Sequence, residues 1–364
     1  MDNAKIGTKE AIALVFSSIV AHSLRSLPRN LISNQKSAVL LNVIFVSIVA
    51  VCIGILIYKL FKNFPGKDIL DISEYLGGKV FRTILGIIFI SYLSISTSML
   101  LINFCEGIKI IYYTKVTFVI GLFIIAIVTV NRLNFNASLK TYLIILPIIL
   151  VGMIFLFLAN IKNFTPERIF PILGDGTLNT FVTGLGNLSA FTGIFYLYFL
   201  PPLLKEPEKF KKIAVTSIVI TGIYLLCIVS ILLFMFAYFM NVDEIMPLYS
   251  AARNIEFGSF FQRLESVFLL IWIIVFASYI AIAMNFCMQL FKKIANLKDI
   301  KPLAYPFGLL FLGIALFPKN YSISNFFATD IYPSLILCVV FIINISVLII
   351  SNIKKQKKVG EYNE

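Results

Sequence analysis

The chain has 364 residues, of which 59% are hydrophobic and 13% charged, with a formal net charge of +13 and a mean hydropathy of +0.95. Soluble domains carry roughly 45–50% apolar and about 25% charged residues, so this composition excludes one or several soluble domains. The placement of the basic residues between long uncharged runs speaks for a membrane rather than for nucleic acid.

Stretches without Asp, Glu, Lys or Arg cover 37–58, 83–105, 116–131, 141–161, 176–204, 213–242, 266–291, 302–318 and 331–353. The bilayer hydrocarbon takes about 20 mostly apolar helical residues, so most of these runs can span it. A shorter segment from about Ala11 to Ile32 makes ten predicted spans. With the N-terminus inside, the inner segments collect Lys5 and Lys9, the group Lys59, Lys62, Lys67, Lys79 and Arg82, and Arg132 with Lys140. They also collect the lysines of 205–212, 292–301 and 354–358. Most of the 31 basic residues thus fall on one side, which predicts cytoplasmic N- and C-termini and an even number of spans. The first apolar stretch is followed by Arg25 and Arg29 instead of a small-residue cleavage site, so it is not expected to be a removed signal peptide.

Two spans depart from the rest. Span one has a short uncharged core, 11–24, and is then interrupted by Arg25, Pro28 and Arg29. Span six contains Gly184, Gly186, Asn187, Ser189 and Gly193 before ending at Pro201-Pro202. Glycine loosens a helix and proline removes a backbone donor, so both are candidates for local unwinding. Opened backbone at membrane depth is tolerated only against protein or a water-filled cavity. Irregular helices at matching places in two halves mark transporter-type binding sites, and here they open two sets of five spans. The implied repeats run about 8–161 and 176–353, inverted relative to each other, with 354–364 as a basic and polar cytoplasmic tail. Packing through small residues is the competing explanation for the span-six glycines. For Arg25 the alternatives are snorkelling to the surface or facing a cavity, with Glu106 near the end of span three as one partner. His22 is either a packing residue or a ligand contact.

Two loops carry more than connection. After span two, Ile69, Ile72, Tyr75 and Leu76 recur three to four apart before Gly77-Gly78, which predicts a short interfacial helix ending at a glycine. Before span eight, Arg263 and Glu265 stand two residues apart and so do not face each other on a helix.

Catalytic and metal motifs are missing: there is no GxxxxGK[ST], HExxH or GxSxG. The five cysteines sit singly in apolar runs without a CxxC pair, which predicts buried thiols. The lone His22 has no ligand partners in sequence, so neither an enzyme, a metal site nor a cofactor is expected.

Leu27-Pro28, Phe64-Pro65-Gly66 with Ser73-Glu74-Tyr75-Leu76-Gly77-Gly78, Pro171-Ile172-Leu173-Gly174-Asp175-Gly176, and Phe260-Phe261-Gln262-Arg263-Leu264-Glu265 leading to Trp272 occur in that order. In this order and spacing the chain resembles the B subunits of spore germinant receptors, the GerAB-type family of the amino acid–polyamine–organocation superfamily. The resemblance implies an all-α polytopic fold of ten transmembrane helices, leucine-transporter-like, with broken helices one and six. It implies a small nutrient ligand, such as an amino acid, at Ala21, His22, Ser23, Leu24 and Arg25 of span one and Asn103 and Glu106 of span three. From span six it implies Leu185, Gly186, Asn187, Leu188 and Phe191. It further implies A and C partner subunits in the inner membrane of the spore, and no nucleic acid. The sequence departs from the family pattern at Ala21, where a glycine is usual, at Lys140, where an arginine is usual, and at Phe191-Thr192, where an acidic residue is common. A secondary transporter of amino acids coupled to H⁺ or Na⁺ is the alternative function.

Overall fold

The computed structural model describes residues 5–23, 26–113, 115–133, 135–236, 246–255, 264–318 and 346. The described chain is helical throughout, and its only extended pairing is a parallel bridge between Ile6 and Leu204. The helices are α1 (Thr8–Ser23), α2 (Ser26–Gln35), α3 (Val39–Lys62), α4 (Ile69–Tyr112), α5 (Val116–Leu133) and α6 (Phe135–Ala159). Further along come α7 (Thr177–Phe181), α8 (Phe210–Met235), α9 (Pro247–Arg253), α10 (Leu264–Ile294) and α11 (Ala304–Leu316). Among the described residues, five segments are long and apolar enough to cross a membrane: Leu27–Lys62, Ile69–Lys109, Tyr142–Ala159, Pro207–Met235 and Glu265–Ile294. Two shorter apolar helices accompany them, Val119–Asn131 and Lys301–Leu316. The predicted tenth span and the basic tail lie outside the described residues, apart from Ser346.

Hydrophobic faces decide the packing. Helix α3 lies against α8, α10 against α4, and α1 against α8, α6 and the 183–198 segment. The two broken segments therefore occupy the centre. Aromatic rings fill the core around them: Phe104 stacks on Phe276 at 4.0 Å, and Phe89 meets Phe195 edge-on at 5.1 Å. Helices α5, α6 and α11 turn apolar side chains outward, with Ile125, Val151 and Leu309 all more than 60% exposed, as a lipid-facing surface requires. Cys105 and Cys287 are buried, as the sequence predicts, but Cys52 is exposed. Its position on the outward face of α3 leaves the thiol toward lipid, where an apolar residue is equally at home.

The interfacial helix is present and runs on into span three. Asp68 and Asp71 form a reciprocal N-terminal cap, with Asp71 N–H donating to Asp68 Oδ1 at 2.9 Å. Ile69, Leu70 and Ile72 are buried beneath it, and the chain bends at Gly78, whose φ of 73° favours glycine. Arg82 pairs with Glu74 at 2.7 Å across that bend. At the far end of α10, Lys293 bridges Asp68 and Asp71, both at 2.6 Å. Burial pushes the Asp68 carboxyl above the usual carboxylate range, against the pull of Lys293.

Lys293→Met leaves two carboxylates without their cation, one of them nearly buried. Because the site is only partly buried, the expected loss is about 1–3 kcal/mol, below the full value for a buried pair. Removing the lysine raises Asp68 further, so lowering the pH through that raised value neutralises the buried charge and returns part of the loss. Thermal unfolding of the variant at neutral and acidic pH checks this; equal deficits at both would contradict it.

Candidate functional site

Span six is unwound as the glycines predict. After the short helix α7, residues Thr183–Tyr198 wind as a 3-10 helix with a break at Phe191 (φ −100°, ψ 22°). Such tight winding rarely persists beyond three or four residues, because its hydrogen bonds are poorly aligned. Here a buried side chain from span two makes up part of the difference. Asn42 Nδ2 donates to the carbonyls of Thr180 at 2.8 Å and Gly184 at 3.1 Å, and Asn42 Oδ1 accepts from Asn187 Nδ2 at 2.8 Å. A Cβ on Gly184 would run into the Asn42 amide, so glycine is required there. Asn34 Nδ2 reaches Asn187 Oδ1 at 3.3 Å and Asn179 Nδ2 reaches the Asn34 carbonyl at 3.3 Å, tying α2 to the same segment.

Span one is divided between α1 and α2, and Leu24 and Arg25 at the division lie outside the described residues. Pro28 falls in the first turn of α2, where its missing donor is harmless. The loop 171–176 crosses the α2–α3 junction: Ser37 Oγ donates to the Pro171 carbonyl at 2.7 Å and Lys36 pairs with Asp175 at 2.7 Å. Gly174, with φ of 51°, comes so close to Gln35 and Ala38 that a side chain there would clash. At the opposite end, Ile6 N–H donates to Leu203 O at 2.7 Å and Lys205 N–H to Ile6 O at 2.9 Å. Thr8 Oγ1 adds a 3.1 Å bond to Glu206, whose exposed carboxyl is drawn below its usual range by Lys209. The start of span one is thereby clasped to the end of span six.

Between the two broken segments lies a small cavity of about 10 Å³, the room that one water molecule needs. Ser18 and His22 of α1 face Thr192 and Gly193 of span six, while Tyr92 of α4 and Tyr279 of α10 complete the polar wall. His22 Nε2 and the Tyr279 hydroxyl share a 3.0 Å hydrogen bond, with the rings edge to face at 5.2 Å. The buried hydroxyls of Thr97 and Tyr196 stand close enough to the Tyr279 hydroxyl to interact with it. Buried polar atoms need partners, and here several converge on one place and meet one another. Among the described residues the wall holds no carboxylate, lysine or arginine; beside His22 it offers hydroxyls, aromatic faces and the apolar Leu93. It can bind through hydrogen bonds and ring faces and offers no metal-ligand set; among the described residues no group of three His, Cys, Asp or Glu is close enough to hold an ion.

The residues expected from the sequence separate into two groups. His22 lines the cavity, and Ala21 and Phe191 are buried next to its lining residues. Asn187 and Leu188 are buried a turn or more away, Asn187 within the amide network. Leu185 and Gly186 are exposed and do not line the cavity; a side chain on Gly186 would meet open space. The residue pressed against span one is Gly193, where a Cβ would strike Ser18 and Ile19. Asn103 is buried elsewhere on α4, and Glu106 pairs with Lys109 at 3.3 Å. The side chain of Ser23 lies outside the described set, with Leu24, Arg25 and Arg263. Tyr92, Tyr196, Tyr279 and Thr97 were the hidden members. Their signal is a hydroxyl in the middle of an apolar span, which needs a partner at that depth.

Broken central helices around a small cavity walled by hydroxyls define a membrane protein of transporter-like architecture. The solved structure of a manganese transporter variant from Eremococcus coleocola shares this fold, with a TM-score of 0.57, 13% identity, and coverage of 93% of this chain and 77% of that one. The sequence model described as spore germination protein matches residues 5–324, and the chain belongs to that family. It is similar to spore germination protein YndE of Bacillus subtilis (strain 168), 24% identical over 338 residues, covering 87% of this chain and 88% of the relative. It is also similar to spore germination protein B2 of the same organism, 20% identical over 276 residues and 74% of each chain.

Proposed function

We propose that this germination-family membrane protein is the ligand-sensing subunit of a spore germinant receptor. A small nutrient such as an amino acid would bind between spans one and six and trigger germination through A and C partner subunits. The observation that carries the reading is the cluster of buried hydroxyls, Tyr92, Tyr196 and Tyr279, gathered around His22 between the two broken segments. The cavity is too small for an amino acid as it stands, so binding must draw the two broken segments apart. That movement would load the Ile6–Leu204 clasp at the other end of span one, which gives a route from ligand to partner. In this reading the protein binds and signals without catalysis, its ten spans form two inverted sets of five, and both termini face the cytoplasm of the spore's inner membrane. The alternative, an amino-acid transporter coupled to H⁺ or Na⁺, is favoured by the fold shared with the manganese transporter.

Tyr279→Phe tests the site. Losing one neutral hydrogen-bonding group is expected to raise the half-maximal nutrient concentration about two- to tenfold at unchanged abundance. The measurement is a nutrient screen on spores lacking this gene and carrying either version. An identical dose–response for Tyr279→Phe would remove the cavity from the reading. Uptake of labelled amino acid by proteoliposomes of the purified chain would favour the transporter.

A further inference from the structure

A second, larger cavity lies away from the centre, on the lipid side. It has a volume of about 490 Å³ and opens between α6 and the start of α10. Pro147, Val151, Gly152 and Phe155 form one wall, and Val267 and Ile271 are among those on the other. The sequence explains its existence. Pro147 interrupts the α6 hydrogen-bond ladder, and Gly152 leaves open space where a side chain would otherwise fill the floor. The short helix α9 closes one end with Ala252 and Ile255. It is pinned there by the buried Asn160, whose Nδ2 donates to the Leu156 carbonyl at 2.9 Å and the Ala251 carbonyl at 3.3 Å. Between the two α9-end lining residues stands Arg253, exposed.

We propose that this groove is a phospholipid site, holding acyl chain along α6 with the lipid phosphate at Arg253. Three features select that occupant. Among the described residues the groove presents only apolar side chains, which suit an apolar ligand. Its length along α6, from Leu156 to Pro147, is about 14 Å at 1.5 Å per residue, which is half of a 30 Å hydrocarbon core. An acyl chain ends at the midplane, whereas a transmembrane helix of a partner would continue across both leaflets. The rim is also built of bulky Ile148, Val151, Phe155 and Val267, with the small residues confined to Gly152 and Ala252, while helix contacts in membranes favour small residues. The guanidinium at the α9 end supplies the charge complementary to a phosphate and can pair with two of its oxygens.

The test uses the full-length chain in nanodiscs doped with a phosphatidylglycerol that carries a diazirine in one acyl chain, with adducts mapped by mass spectrometry. Adducts are expected on α6 near Val151 and Phe155 and on α10 near Val267, in excess over the exposed Leu122 and Ile125 of α5. Gly152→Trp fills the floor and is expected to abolish the groove adducts while leaving those on α5; Gly152→Leu should reduce them in part. Arg253→Gln is expected to lower them about fivefold, the worth of one basic residue at a lipid surface. A diazirine fatty acid should label the groove less than the phospholipid does, because it lacks the phosphodiester. Equal labelling of α5 and the groove, or labelling indifferent to Gly152→Trp, would overturn the proposal. So would protein–protein cross-links from Val151 in place of lipid adducts.

Discussion

Gly193→Leu is expected to abolish the nutrient response. A Cβ at this position would strike Ser18 and Ile19 of α1, so even the first added carbon forces spans one and six apart. Overpacking at such a contact costs about 1–3 kcal/mol in stability. The larger effect is functional, because the contact is the wall of the cavity itself. Gly193→Ala should show a weaker form of the same defect, since it adds the clashing atom without the rest of the side chain. Spores carrying each variant would be compared for response, protein abundance and thermal unfolding. A normal dose–response for Gly193→Leu at normal abundance would mean that spans one and six need not close on one another.

Asn42→Leu is expected to give the largest loss of stability. The substitution removes two donated bonds, to the Thr180 and Gly184 carbonyls, and one accepted from Asn187. Hydrogen bonds between helices in membranes average about 0.6 and reach about 1.7 kcal/mol, so three give about 2–5 kcal/mol. The loss falls where the short helix α7 passes into the 3-10 segment, whose poorly aligned hydrogen bonds leave those carbonyls dependent on Asn42. The melting temperature of the purified variant against the original chain measures it. Asn187→Ala, which removes one bond of the three and keeps both backbone contacts, should fall well short of Asn42→Leu. Equal melting of Asn42→Leu and the original chain would show that span six holds its winding without span two.

The membrane class and the two irregular spans are legible in the residues because both follow from local chemistry. Uncharged runs of about 20 residues have one stable home, the bilayer. The glycines of span six and Arg25-Pro28 of span one weaken a helix wherever it lies. The same locality makes the helix that starts at Ile69 readable, although at Gly78 the chain bends and runs on where an end was expected. The lining of the site is a different matter. Gly186 and Gly193 are alike as residues, yet one faces open space and the other presses on α1. Which of them faces span one depends on how the 3-10 winding rotates the segment; a 3.6-residue period would place both on one face.

By itself the sequence determined the spanning segments, the broken pair and the likeness to the germination family, since composition and local propensity act within a few residues. Tertiary structure alone decided that Tyr92, Tyr196 and Tyr279, up to 187 positions apart in the chain, surround one histidine. It decided too that Asn187 serves Asn42 and that Lys293 closes on Asp68. Each of these is a polar group in an apolar medium. Its partner is set by which helix packs beside it, and the packing follows from the whole apolar surface of the bundle.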